Sequence, residues 1–289
     1  MVGFGLILVS SVLHQLETIT VARYGRKHQK GGMFFNAIIC LFAAIYFFVS
    51  DTDGLDFAKK IWGYGIINST MYALGFYSMY MALKVGSYGL TSLAASFVVV
   101  VTTFGGILFL KEPSSLLTYI SLLLVVISLL LTKSKGKNKE EEVTISIKWA
   151  VYVLLSIFSN AFISIIGRMQ FNAFGNTYKN EFSIISLLGA TVFLLVLGCC
   201  FERDSFKKTF KQGVFYGATA GVLNGIKNLL HLVTFNYFAL SELTPISTGI
   251  KLVLGFVVSM LIYKEKFSFR QLTGAIIGIT AVILMNINI

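Results

Sequence analysis

The stretch "NGIKNLLH", Asn224 to His231, places two asparagines, a lysine and a histidine inside a segment otherwise made of glycine, aliphatic and aromatic residues. From Gly213 to Phe238, Lys227 is the sole charged residue. Two other apolar segments carry charges of the same kind, Glu17 near the N-terminus and Lys251 toward the C-terminus. A charge at membrane depth costs roughly 2.5–3.5 kcal/mol on insertion scales, so it faces a partner or a water-filled cavity. The chemistry open to one acid and two bases is ion pairing among themselves and binding of a charged solute. One carboxylate against Lys227, Lys251 and Arg168 leaves a positive remainder.

The polar residues recur at helical spacing. At about 100° per residue, Gly213, Gly217, Gly221, Asn224, Asn228 and His231 share one stripe. Glycines four apart let a neighbouring helix approach closely, as small-xxx-small seams do. Ser156, Asn160, Ser164 and Arg168 repeat the device, as do Ser247, Lys251, Gly255 and Ser259. Ser10, His14, Glu17 and Thr18 line one side of the first segment, and Asn68 and Tyr72 stand on the third. A solute held by Lys227 and Lys251, with Asn224, Asn228 and Asn160 fixing its polar groups, is the functional reading. Asn68 and Tyr72 serve equally as ordinary interhelical hydrogen-bonding residues. His14 and His231 are proton or ligand groups, or satisfied core histidines. Arg168 sits near a helix end, where snorkelling to the headgroups competes with solute contact.

The elements that position these residues follow from composition. Of 289 residues, 56% are hydrophobic and 13% charged, with a mean hydropathy of +0.79. Soluble domains carry about 25% charged residues. Ten runs long enough to span about 30 Å of hydrocarbon can be drawn: 2–24, 33–50, 61–83, 90–110, 116–132, 148–170, 182–201, 213–238, 243–263 and 268–287. Backbone groups find no water in lipid, so each run is helical. The expectation is an all-α polytopic membrane protein, multi-pass in the cell membrane. At a rise of about 1.5 Å per residue, Lys251 lies about 12 Å, Lys227 about 16 Å and Glu17 about 22 Å from the face bearing the termini. Long side chains bridge such differences.

The first run is not a cleaved signal peptide, because it lacks a basic n-region and contains His14 and Glu17. Cys40, Cys199 and Cys200 fall within spans and read as packing residues; no metal spacing is visible. The net charge of +11 is no nucleic-acid footprint: most Lys and Arg lie in the loops after runs 1, 3, 5, 7 and 9. That asymmetry makes the linker side cytoplasmic and puts both termini outside.

The tract Lys133 to Lys148 is a charged linker, assigned to 133–147, that divides the chain into 1–132 and 148–289. The halves resemble each other. Lys111-Glu112 matches Lys264-Glu265, Ser115 matches Ser268, and Gln15-x7-Arg23 matches Asn160-x7-Arg168. Five helices per half is odd, so the second half enters the membrane from the opposite face: two inverted five-helix repeats, as in many secondary transporters. With Ala82-Leu83 and Ala239-Leu240 preceding the fourth and ninth runs, the whole chain resembles the ten-helix, EamA-like branch of the drug/metabolite transporter superfamily. The resemblance implies helices 5 and 10 as peripheral scaffold, a central cavity lined by the others, and export, with protons as a candidate coupling ion. It also implies cytoplasmic termini, opposite to the charge count. Glu17, in "ETIT", is similar in setting to the first-helix glutamate of the small multidrug resistance family, which exchanges protons for cationic drugs. Nearby lysines compete with any cation here.

The expected function is a secondary transporter of a small anionic or zwitterionic metabolite, without cofactor. A multidrug exporter using Glu17, and a non-transporting scaffold or receptor, stand beside it. No HExxH or GxSxG constellation points to an enzyme. The chain is read as a monomer or a homodimer, with Gly274 and Gly278 as a candidate contact face.

Overall fold

The structure, a computed structural model, describes residues 2–27, 30–52, 54–85, 91, 94–132, 147–263 and 269–287. The linker and the segment holding Lys264, Glu265 and Ser268 lie outside the described residues. So do the side chains of Leu83, Gly255 and Ser259.

Among the described residues the fold is helical without strands. Its longer helices are α1 (Val2–Lys27), α2 (Gly32–Val49), α3 (Lys59–Val85), α4 (Val98–Leu110), α5 (Leu116–Thr132), α6 (Ile147–Phe174), α7 (Lys179–Phe201), α8 (Phe206–Thr234), α9 (Leu240–Tyr263) and α10 (Phe269–Ile287). Four stretches, Val2–Gly25 of α1 and the whole of α2, α6 and α7, are long and apolar enough to cross a membrane.

Several ends differ from the hydropathy runs. Helix α8 begins at Phe206, seven residues before the run at 213, because Lys207, Lys208 and Lys211 prolong it beyond its apolar stretch. Hydropathy marks the apolar part of a helix, not its capped end. The same helix stops at Thr234, where the N–H groups of Phe235 and Asn236 turn back to the carbonyls of Leu232 and Val233. Helix α4 starts at Val98, after a turn at 96–97, and is only 13 residues long.

Consecutive packing pairs close a ring: α1 against α8, α8 against α2, α2 against α7, α7 against α3, α3 against α6, α6 against α4, α4 against α9, and α9 against α1. Helices α5 and α10 pack on each other and on α9. The Ser128 hydroxyl donates to the carbonyl of Gly274 at 2.6 Å, and Gly274 and Gly278 are buried. At Gly274 this small-residue face therefore meets α5 of the same chain.

The glycine stripe of α8 sets how closely the ring closes. A Cβ at Gly217 would sit 2.6 Å from Ile38, and at Gly225 2.6 Å from Tyr46. At Gly221 it would lie 2.6 Å from both the Ile39 carbonyl oxygen and Phe42. At Gly213 the neighbour is Tyr24 of α1, 3.0 Å away. The approach is tightest at Gly221, where α8 meets the backbone of α2 and a larger residue forces the helices apart.

Candidate functional site

A cavity of about 410 Å³ lies within the ring. Helix α1 contributes Ser10, His14 and Glu17, while α8 contributes Asn224, Lys227, Asn228 and His231. Lys251 and Ser247 come from α9, Asn160 and Ser164 from α6, and Asn68 and Tyr72 from α3. Helical spacing puts each set on one inward face.

Glu17 is the sole carboxylate lining the cavity among the described residues, and both its oxygens are engaged. Lys227 Nζ donates to Oε2 at 2.6 Å, and Asn224 Nδ2 donates to Oε1 at 2.7 Å. Asn228 Nδ2 continues the chain to Asn224 Oδ1 at 2.8 Å and lies 3.5 Å from the Tyr72 hydroxyl. His14 Nδ1 is 3.8 Å from Glu17 Oε2, too far for a hydrogen bond. The pair is well shielded, with 13% of the Glu17 side chain and 17% of the Lys227 side chain exposed.

Lys251 differs. No carboxylate lies within ion-pairing distance of its ammonium among the described residues, and its contact with α1 runs through the backbone, Gln15 Nε2 donating to its carbonyl at 3.0 Å. With the histidines neutral, the cavity wall thus carries one uncompensated positive charge among the described residues. Asn68 donates to the Ser186 hydroxyl at 3.1 Å, while its buried Oδ1 has no partner. A buried carbonyl oxygen left unpaired is an unused acceptor.

Ten of the eleven residues singled out as solute-binding line this cavity; Arg168 does not. Arg168 points instead to Glu112, Nε to Oε1 at 3.2 Å, and its Nη1 donates to the Phe235 carbonyl at 2.7 Å. Glu112 is buried, and its two oxygens accept the N–H groups of Leu240 and Ser241 at 2.8 Å each. A carboxylate at a helix N-terminus satisfies donors that have no intrahelical partner. Here it comes from 128 positions earlier, which explains why α9 begins where no local cap is visible. Snorkelling and solute binding thus give way to a protein partner that lies 56 positions from Arg168.

Phe47, Phe76, Met79, Phe182, Ser183 and Ser186 also line the cavity and were not singled out from sequence. Phe76 follows Tyr72 by one helical turn, and Ser183 and Ser186 lie three apart on α7, which is the signal available in the sequence. In apolar spans such residues are indistinguishable from packing. Among the described residues no three His, Cys, Asp or Glu side chains group to hold a metal.

Residues 1–134 match the EamA-like transporter family. That match agrees with the resemblance to the drug/metabolite transporter superfamily and suggests a membrane transporter of small molecules. A solved structure described only as "Crystal structure of protein" superimposes with a TM-score of 0.76 over 99% of both chains, at 10% identity. Likeness at that identity concerns the fold. No curated protein matches. A polar, charged cavity enclosed by a ring of helices has the form expected of a small-molecule site.

Proposed function

We propose that the chain is a ten-helix secondary transporter, built of inverted repeats 1–132 and 148–289, that exports a small anionic metabolite by alternating access. Two features support the repeat. The family match ends at residue 134, beside the proposed boundary. Shifting each helix by five positions also maps the packing of the ring onto itself: α1 with α8 onto α6 with α3, α2 with α8 onto α7 with α3, and α1 with α9 onto α6 with α4. The charge asymmetry of the loops supports a cytoplasmic linker and a multi-pass place in the cell membrane.

The observation that carries the substrate class is the inequality between Glu17 and Lys251. Glu17 is occupied at both oxygens by the protein itself, whereas Lys251 has no carboxylate within ion-pairing distance among the described residues. A solute carboxylate or phosphate supplies the missing charge, and a hydroxyl or N–H on the same solute meets the open acceptor of Asn68. A zwitterion fits less well, since its ammonium has no free carboxylate to meet. An organic cation, the multidrug reading, must first displace Lys227 from Glu17. His14 beside Glu17 is the candidate for proton coupling.

A thermal-shift screen of the purified protein tests this reading. Anionic metabolites should raise the melting temperature, because a ligand bound only by the native state stabilises it by mass action. Stabilisation by quaternary ammonium compounds alone would transfer the site to the multidrug reading.

A further inference from the structure

Arg168 of α6 crosses the ring to the Phe235 carbonyl at the end of α8 and also faces Glu112, which follows α4. On the face bearing the termini, a single apolar cluster joins Ile7 of α1, Ile61 of α3, Ile165 and Ile166 of α6, Phe182 and Ile185 of α7, Leu232 of α8, and Leu243 and Ile246 of α9. Residues from helices all around the ring belong to this one cluster. Toward the linker face the described residues form two separate clusters. Tyr24, Phe35, Ile39 and Ala220 join α1, α2 and α8, while Ala82, Trp149, Val153 and Ile157 join α3 and α6.

Polar bridges join the same helix ends. Arg168 of α6 reaches across to the Phe235 carbonyl at the end of α8 and to Glu112, which is fixed on the first turn of α9. Its guanidinium lies over the rings of Phe171 and Phe235, 5.2 and 5.4 Å from their centroids. Gly106 makes room for the carboxylate, since a Cβ there would sit 2.6 Å from Glu112 Oε2. Asn176, after α6, donates to Asn236, after α8, at 3.0 Å. The two ends of the bridge are held unequally. Glu112 makes two hydrogen bonds of good length to α9, whereas Arg168 Nε reaches it at 3.2 Å without hydrogen-bond alignment. Of the contacts made to Glu112, the one from Arg168 is therefore the weaker, while α6 stays tied to the end of α8 through the Phe235 carbonyl.

We propose that Arg168 is the gating residue of the terminus face. It latches α6 to the α8–α9 corner, and it must release Glu112 and the Phe235 carbonyl for the cavity to open on the terminus side. The inference rests on the transporter reading but not on any choice of solute, so the two can fail separately.

The test measures distances between nitroxide labels, in lipid nanodiscs and in a background lacking the native cysteines. One pair, at Thr177 and Tyr237, spans the terminus face; the other, at Lys148 and Lys208, spans the linker face. All four positions are exposed. Arg168→Gln should add a longer distance to the first pair and a shorter one to the second. Loss of a charge-assisted contact should shift the two populations by about tenfold. Arg168→Lys keeps the charge without the forked reach and should give a smaller shift. If Arg168→Gln does not fold, Arg168→Lys and Glu112→Gln carry the test. Distances unchanged in folded variants overturn the proposal. So does a broadened terminus-face distance without a linker-face response, which is the mark of a static brace.

Discussion

Replacing Glu17 by glutamine tests whether the buried pair or its separate charges matter to the fold. The Lys227 ammonium stands 2.6 Å from Glu17 Oε2, an attraction of about 6 kcal/mol at an effective dielectric constant of about 20. Desolvation of two side chains that are 13% and 17% exposed offsets much of that gain, so the pair itself contributes little net stability. Breaking it is another matter. Glu17→Gln leaves Lys227 buried and unpaired, with Lys251 lining the same cavity, and removing one partner of such a pair costs about 3–5 kcal/mol. Glu17→Gln combined with Lys227→Met removes both charges and should recover most of that loss, since an apolar replacement of a buried pair is often neutral. Reversible unfolding of wild type, both single variants and the double variant in mixed micelles gives the coupling energy directly. A double variant no more stable than Glu17→Gln alone would refute the pairing argument.

Gly221→Leu should abolish transport and lower stability by about 1–3 kcal/mol or more, because its Cβ meets the α2 backbone at 2.6 Å; normal uptake by this variant would show that α2 can move away freely. Gly31→Ala should destabilise the start of α2, since Gly31 has φ +88° and its added Cβ would collide with the Thr209 hydroxyl; unchanged thermal unfolding would count against the closeness of that corner. A cysteine placed at Lys137, in a background without native cysteines, should resist a membrane-impermeant thiol reagent in intact cells. Ready labelling there would reverse the assigned orientation and restore the cytoplasmic termini usual in the family.

The parts of this protein written in local pattern were the legible ones. Polar residues at intervals of four on α1, α6, α8 and α9 face one cavity because a helix repeats its face every three to four residues. Lys227 and Glu17 could be matched across 210 positions because charges are so scarce in apolar spans. The contacts of Arg168 are illegible in the sequence for the converse reason. Its partner Glu112 lies at a helix end, where an acid is unremarkable, and only the folded chain brings it to the first turn of α9. The aromatic lining, Phe47, Phe76 and Phe182, was hidden among 26 phenylalanines whose inward or lipid-facing direction depends on helix rotation. The extension of α8 back to Phe206 escaped the hydropathy runs because its first turns are charged.

Lys251 offers the most direct test of the charge argument. Binding of an anionic metabolite found in the thermal-shift screen should be measured by titration calorimetry for wild type, Lys251→Met and Glu17→Gln. Loss of a charge-assisted contact of about 1.5–3 kcal/mol should weaken the Lys251→Met affinity about tenfold or more while its fold and melting profile persist. Glu17→Gln should bind the anion as well as wild type or better. An Lys251→Met variant that binds the anion with wild-type affinity would contradict the assignment of Lys251 as the solute's anchor. Loss of cation binding in Glu17→Gln, with Lys251→Met silent, would give the site to organic cations instead.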